Sequence, residues 1–324
     1  MTGRGLFTFS IGYACFAFAI ASVFHGGGVD YAVASLDLVI SQAIAFKDKA
    51  HWFLIFGAGA YFLDRSGWTR ERGISLGLAV VACLLFAFAF STIKSTLPYI
   101  VPYWADPAFA RLDRWLHFGF EPYQIAHKAA DWIKVDWVTT AYSFVWTSVS
   151  IFFPVWLILA DNDPARVRRF LVLHVLAWIV LGNILACGFM SAGPVYYDRL
   201  LGGDSFAELT RLLIASGISE SAMGALQLGL WELYIGERMG IGSGISAFPS
   251  MHVGAASLVV LYLAERSRYL MCAGLVYWAI IQFLSVYVGY HYAIDGYVST
   301  LVMVLMWIML RARTRARGRT VSVV

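Results

Sequence analysis

The chain alternates long apolar runs with short polar breaks. One apolar run extends from Leu6 to about Phe24, just after Arg4, and others cover about 74–93, 138–160, 170–190, 249–264, 270–290 and 294–311. Each approaches the ~20 residues a helix needs to cross a hydrocarbon layer about 30 Å thick. A further run at 51–64 is short for a span. Together they predict an all-α polytopic membrane protein with about eight transmembrane helices. Residues 29–50 carry Asp30, Asp37, Lys47 and Lys49 and read as an interfacial helix rather than a span. Ala19-Ile20-Ala21 has the spacing of a secretory cleavage site; we take the run as an uncleaved first helix.

Composition agrees with the pattern. Hydrophobic residues make up 60% of the chain and charged ones 14%, and the mean hydropathy is +0.70. A soluble domain of this length needs a more polar surface. The net charge of +4 does not point to nucleic acid, because the basic residues collect in short loops (Asp64 to Arg72, Asp161 to Arg169, Glu265 to Arg268) and in Arg311 to Arg319. Short basic loops mark the cytoplasmic side. Alternation of spans puts all three loops, Arg4 and the C-terminal tail on that side, with an even number of spans. The expected partner of the tail is anionic lipid headgroups, and no nucleic-acid partner is expected. The expected setting is a bacterial inner (plasma) membrane. Oligomeric state is left open.

Two longer segments then fall on the outer side. In 94–137, Trp104, Trp115, Trp132 and Trp137 interleave with Asp106, Arg111, Asp113, Arg114, Lys128 and Asp131, a mixture suited to interfacial helices. There Arg111, Asp113, Arg114 and His117 form either an acceptor site or, as we favour, a solvated helix face. The second segment, 191–248, is more polar. No internal repeat or soluble domain is found, so the expected organisation is N-terminal helices over 1–73, a six-helix core over 74–312 and a basic tail over 313–324. Cys15, Cys83, Cys187 and Cys272 sit in apolar segments and read as small buried hydrophobes. None forms a CxxC pair or stands near a His at ligand spacing, so neither a metal nor a cofactor is expected.

Chemistry concentrates in two stretches. Gly242-Ser243-Gly244-Ile245-Ser246-Ala247-Phe248-Pro249-Ser250-Met251-His252 is a Gly/Ser-rich loop leading into an apolar helix. The first turn of such a helix offers unpaired N–H groups and the positive end of its dipole to an anion. Ser250 adds a hydroxyl and His252 a titratable ring; the plainer reading is a helix cap beside an interfacial histidine. In Gly289-Tyr290-His291-Tyr292-Ala293-Ile294-Asp295, His291 and Asp295 stand four apart and share a helix face. The carboxylate would fix one ring nitrogen and leave the other as nucleophile or base; the alternative is a His–Asp pair that only ties two helices together. Alternation puts both histidines at one depth on the outer side, which favours a joint site. His25, His51, His127 and His174 have no motif context and receive no role.

These two stretches resemble the second and third signature motifs of the type 2 phosphatidic acid phosphatase (PAP2) superfamily, and more closely its inositol-phosphorylceramide-synthase-like branch. The resemblance covers roughly the last three-quarters of the chain and implies a six-helix core with catalytic histidines at its non-cytoplasmic ends. By it, His291 attacks phosphorus to form a phosphohistidine, Asp295 supports it, and His252 protonates the leaving oxygen and then activates the acceptor. Ser250 and nearby amides would hold the phosphate oxygens, with no metal required. The sequence departs from the phosphatase pattern at Leu284-Ser285, where an Arg is missing. In place of the first motif stands Ser191-Ala192-Gly193-Pro194-Val195-Tyr196-Tyr197-Asp198-Arg199, a Gly-Pro-aromatic pattern closer to sphingolipid-synthase-like proteins. Gly193, Pro194, Tyr196, Tyr197 and Tyr290 are candidate substrate-binding residues, although the tyrosines equally suit an aromatic belt. Arg199 is either a phosphate cation or part of an ion pair. Lys94, at the outer end of a span, either reaches the phosphate or snorkels.

The expectation is thus an integral membrane enzyme that transfers or hydrolyses the phosphate-containing group of a phospholipid or sphingolipid on the periplasmic face. The missing Arg tilts it towards a diester and transfer. A lipid monoester phosphatase is the nearest alternative, and a non-catalytic transporter or scaffold the alternative from another class.

Overall fold

The computed structural model describes residues 1–24, 69–129, 132–236 and 244–321. The helix expected at 29–50, the short span at 51–64, and Gly242 and Ser243 lie outside these residues. Among the described residues the regular elements are all helical. They are α1 (Gly3–Phe24), α2 (Arg70–Ile100), α3 (Asp106–Leu116), α4 (Pro122–Ala129), α5 (Val135–Ile151), α6 (Phe153–Ala160), α7 (Pro164–Gly188), α8 (Pro194–Leu201), α9 (Ala207–Ala215), α10 (Ala222–Ile235), α11 (Met251–Arg266), α12 (Arg268–Tyr287) and α13 (Ala293–Val321).

Helices α1, α2, α7, α12 and α13 are long and apolar enough to cross a membrane, and α5 with α6 makes a sixth span bent by 59°. Pro154 accounts for the bend: it has no N–H to give to the Ser150 carbonyl one turn back. The spans start where side chains satisfy free N–H groups. The Thr69 hydroxyl accepts from Arg72 N–H, the Asp163 carboxylate from Ala165 and Arg166 with Pro164 at the first helical position, and Ser267 from Tyr269.

The run expected to span at 249–264 forms α11, of 16 residues. At 1.5 Å per residue it rises about 24 Å, short of the ~30 Å hydrocarbon layer. Its position explains how it remains stable, since it packs between α12 and α13 and against α7. Small residues bring these helices together: Gly254 faces Leu181, and Gly274 of α12 faces Val260. α1 lies along α2, with Gly3 against Ser75 and Tyr13 stacked on Phe86 at 4.9 Å. The Asn183 side-chain amide donates to the Tyr13 hydroxyl at 2.5 Å, tying α1 to α7.

The cysteine expectation holds only in part. Cys83 is buried, whereas Cys15 and Cys272 lie on the exposed faces of α1 and α12. In a membrane helix an apolar outward face meets lipid, so a small thiol is tolerated there.

The short basic loops meet at one end of the bundle. Arg72 donates to the Ile158 and Leu159 carbonyls and to Asn162, at 3.0, 2.9 and 2.7 Å. Arg166 grips Asp161 through two nitrogens, and Arg266 donates to the Ala160 carbonyl at 3.0 Å. Glu265 pairs with Arg169 and accepts from Trp307 Nε1 at 2.6 Å. The chain order of the spans then places the 191–195, 245–250 and 288–292 loops at the other end.

Candidate active site

Three loops at that far end are bonded into one unit. Ala247 N–H donates to the Ser191 carbonyl at 2.7 Å, Val195 N–H to the Gly289 carbonyl at 2.9 Å, and Ser250 N–H to the Asp295 carbonyl at 3.2 Å. Gly193 is where they approach most closely. Its φ is +85°, and a Cβ there would overlap the Tyr290 carbonyl and the Ala247 side chain. Only glycine fits both constraints.

His252 lies in the first turn of α11, and its ring is held between two aromatic faces. Tyr142 stacks on it at 4.1 Å with a 7° tilt, and Trp146 lies 4.0 Å from its centre. Trp146 Nε1 also donates to the His252 carbonyl at 3.0 Å. The two aromatic residues come from α5, where Thr140–Val145 forms a π-helical turn. Such turns carry an extra residue that re-aims the helix face and often occur at functional sites.

The His291 ring is 5.7 Å from that of His252, at 62°. Its Nδ1 meets Asp295 Oδ2 at 3.3 Å, and the same oxygen accepts from Tyr292 N–H at 3.0 Å. Asp295 is fully buried, as is Ser250. Ser250 Oγ accepts from Val253 N–H at 3.3 Å, which leaves its proton free to donate elsewhere. Burial, and then the charge of Lys94, lower the pKa of His291 below its usual value, against an opposing contact from the Ala247 carbonyl. The ring is therefore neutral at neutral pH, the form that has a lone pair to donate. The Lys94 charge also reaches His252. Lys94 sits in the last turns of α2, where Gly244 passes directly against its backbone, and it forms no ion pair among the described residues.

Two buried carboxylates on α3 hold the unit from below. Asp106 accepts from Ser191 Oγ (2.8 Å), Ala192 N–H (2.8 Å), Gly193 N–H (2.9 Å) and the Tyr292 hydroxyl (3.1 Å). One helical stretch on, Asp113 accepts from Ala293 and Ile294 N–H, both at 3.0 Å, and so caps α13 just before Asp295. Burial raises the Asp113 pKa, while these two N–H bonds and the neighbouring His117 lower it. The expectation of a solvated face for this segment is therefore corrected at Asp113, which is 2% exposed. Arg114 instead pairs with Glu121 at the surface. Sequence reasoning missed Asp106, Tyr142 and Trp146, none of which lies within a recognisable motif.

Of the expected residues, His252, His291, Asp295, Ser250, Lys94, Gly193 and Tyr290 come together. Pro194 opens α8 beside them. The others lie at the edge of this group, where Tyr196 packs in one cluster with Ala192, Ile245 and Tyr290. Tyr196 is buried with its hydroxyl on the Gln227 carbonyl at 2.9 Å, and Tyr197 packs on Phe206. Arg199 is exposed, with its guanidinium 5.7 Å from the centre of the Trp231 ring. α8 turns the Tyr196 hydroxyl and the Arg199 guanidinium towards α10. Of the histidines given no role, His127 bonds the Tyr287 carbonyl at 2.9 Å, and His174 is buried among Phe86, Phe153 and Trp178.

Comparison with known proteins gives one family. A family model described as the PAP2 superfamily matches residues 107–310, more than half of the chain. No curated protein and no solved structure matches.

Proposed function

The chain belongs to the PAP2 superfamily, and from that premise we propose that it is an integral membrane lipid phosphotransferase or phosphatase working through His291, His252 and Asp295. One observation carries the reading. Two histidine rings stand 5.7 Å apart, one backed by a buried carboxylate, with the charge of Lys94 reaching both. In the proposed reaction the neutral His291 ring attacks phosphorus, and the N–P bond forms as the ester P–O bond breaks. The proton of His252 goes to the leaving oxygen. An acceptor hydroxyl then attacks phosphorus, gives its proton to His252, and the N–P bond breaks. Asp295 supports the positive charge that develops on His291. Ser250, loop amides and Lys94 are placed to hold the nonbridging oxygens.

The acceptor separates the two activities: water gives a phosphatase, an alcohol a transferase. The Gly193-Pro194 loop and the lack of a guanidinium at Leu284-Ser285 support the inositol-phosphorylceramide-synthase-like branch and a diester substrate. The short α11 supports a site recessed from the membrane surface. The basic end of the bundle supports an outward-facing site, and Ser205→Cys on the exposed outer loop should react with an impermeant maleimide in intact cells. Labelling only after lysis would reverse the orientation.

The test of function uses purified protein in detergent with a panel of phospholipids and sphingolipids, following free phosphate and new lipid products together. Either product, lost in His291→Ala, supports the reading and identifies the branch. Turnover that survives in His291→Ala would refute the phosphohistidine route.

A further inference from the structure

Around the two histidines, three buried polar atoms have no hydrogen-bond partner among the described residues: the hydroxyls of Tyr142 and Tyr290, and Oδ1 of Asp295. They are not scattered. The Tyr142 ring is stacked on His252 and lies nearly parallel to Tyr290, 6.2 Å away at 13°. Tyr142 is also within electrostatic reach of both Tyr290 and Asp295. A buried phenol ordinarily finds an acceptor, because leaving it unpaired forfeits the hydrogen bond it had in water. Other buried phenols nearby do so: Tyr103 donates to the Ile245 carbonyl at 2.8 Å, Tyr196 to the Gln227 carbonyl at 2.9 Å, and Tyr292 to Asp106. Two unpaired phenols, one stacked on His252 and the other beside it in the residue before His291, mark the place of an acceptor that binds there.

The nature of that acceptor follows from the charges. Lys94 is the cation whose field reaches both rings, and Asp295 lies directly behind His291. Such a site balances one negative charge better than two. Neutral O–H donors add hydrogen bonds without adding charge, so they suit the nonbridging oxygens of a singly charged phosphate.

Building on the function proposed above, we propose that Tyr142 and Tyr290 donate to the nonbridging phosphoryl oxygens and set the site for a monoanionic phosphodiester over a monoester dianion. As charge builds on those oxygens in the transition state, both bonds strengthen, so their loss falls mainly on kcat.

The test uses Tyr142→Phe and Tyr290→Phe, which keep both rings and the stack on His252. Turnover of bis(4-nitrophenyl) phosphate and 4-nitrophenyl phosphate is followed in detergent, beside wild type and His291→Ala. Wild type is expected to favour the diester by at least about tenfold in kcat/KM, and each Phe variant to lose about tenfold or more in kcat on the diester with a smaller change in KM. Dimethyl phosphate, a monoanionic phosphodiester with a poor leaving group, is titrated by thermal shift as a reading independent of turnover, and about tenfold weaker protection is expected in each variant. Unchanged dimethyl phosphate protection, a kcat within twofold of wild type, or a preference for the monoester would each overturn the proposal. So would a fall in the melting temperature of the ligand-free variants that accounts for the lost turnover, since it would assign the hydroxyls to folding. Activity lost in His291→Ala but kept in both Phe variants sinks this inference alone. Activity kept in His291→Ala sinks the function beneath it.

Discussion

Removing the Asp106 carboxylate should loosen the site without touching either histidine. Asp106 Oδ1 accepts from Ser191 Oγ, Gly193 N–H and the Tyr292 hydroxyl, and Oδ2 from Ala192 N–H, with the residue 2% exposed. In Asp106→Asn the amide oxygen can keep the three bonds made by Oδ1. The amide nitrogen then faces the Ala192 N–H, donor against donor, at a cost of about 1–3 kcal/mol. In Asp106→Ala all four donors lose their acceptor. Each buried donor left without an acceptor costs about 1–3 kcal/mol, but these costs do not add fully because the loop relaxes and water enters, so the total is about 3–5 kcal/mol. At roughly 2 °C per kcal/mol for a chain of this size, melting temperatures should fall about 2–6 °C for Asn and about 6–10 °C for Ala. Turnover should fall further than stability does, because Gly193 packs on the Tyr290 carbonyl next to His291. The assay is thermal unfolding in detergent, paired with turnover measured well below the lower melting temperature. If Asp106→Ala melts within a degree or so of wild type and turns over normally, the carboxylate does not organise these loops.

Three further outcomes follow from the same geometry. Asp113→Ala removes the acceptor for Ala293 and Ile294 N–H and should destabilise by about 1–2 kcal/mol, as loss of a helix cap does; a melting temperature equal to wild type would refute the cap. Gly193→Ala forces a Cβ at φ +85° against the Tyr290 carbonyl, which costs more than the ~1–2 kcal/mol of a left-handed residue alone; full activity would refute the close approach. Burial and the Lys94 charge lower the His291 pKa, so the neutral ring persists as pH falls and is lost only below the ordinary histidine pKa of about 6.5. The acid limb of kcat/KM due to His291 should therefore lie below that value and move up in Lys94→Met, and a limb at or above it that does not move would contradict the assignment.

The spans were legible because the bilayer asks for long apolar runs and the sequence supplies them. Even the bent α5–α6 pair, from Val135 to Ala160, matches the run expected at about 138–160 to within three residues. The pairing of His291 with Asp295 was legible because four residues make about one helical turn. What remained hidden depends on distance along the chain. Asp106 meets Ser191 across 85 positions, and Asp113 meets Ala293 across 180. Amid the tryptophans and charges of 94–137, buried and solvated carboxylates look alike. The placement of Arg199 was hidden for the converse reason: it stands near a motif in sequence, yet the turn of α8 carries it to Trp231.

The π-helical turn at Thr140–Val145 has a further consequence. It holds one residue more than an α-helix would, and each residue of an α-helix advances the chain by about 100° around its axis. The stretch before the turn and the stretch after it are therefore in different rotational phase. Loss of a single residue there would restore a regular helix and swing everything upstream a quarter-turn or more. Trp146 would stay under His252 while Tyr142 rotated off it. Within this span, insertions and deletions are thus more consequential than substitutions: a conservative exchange alters one contact, whereas a one-residue shift removes the Tyr142 wall of the ring and re-aims every residue upstream of it.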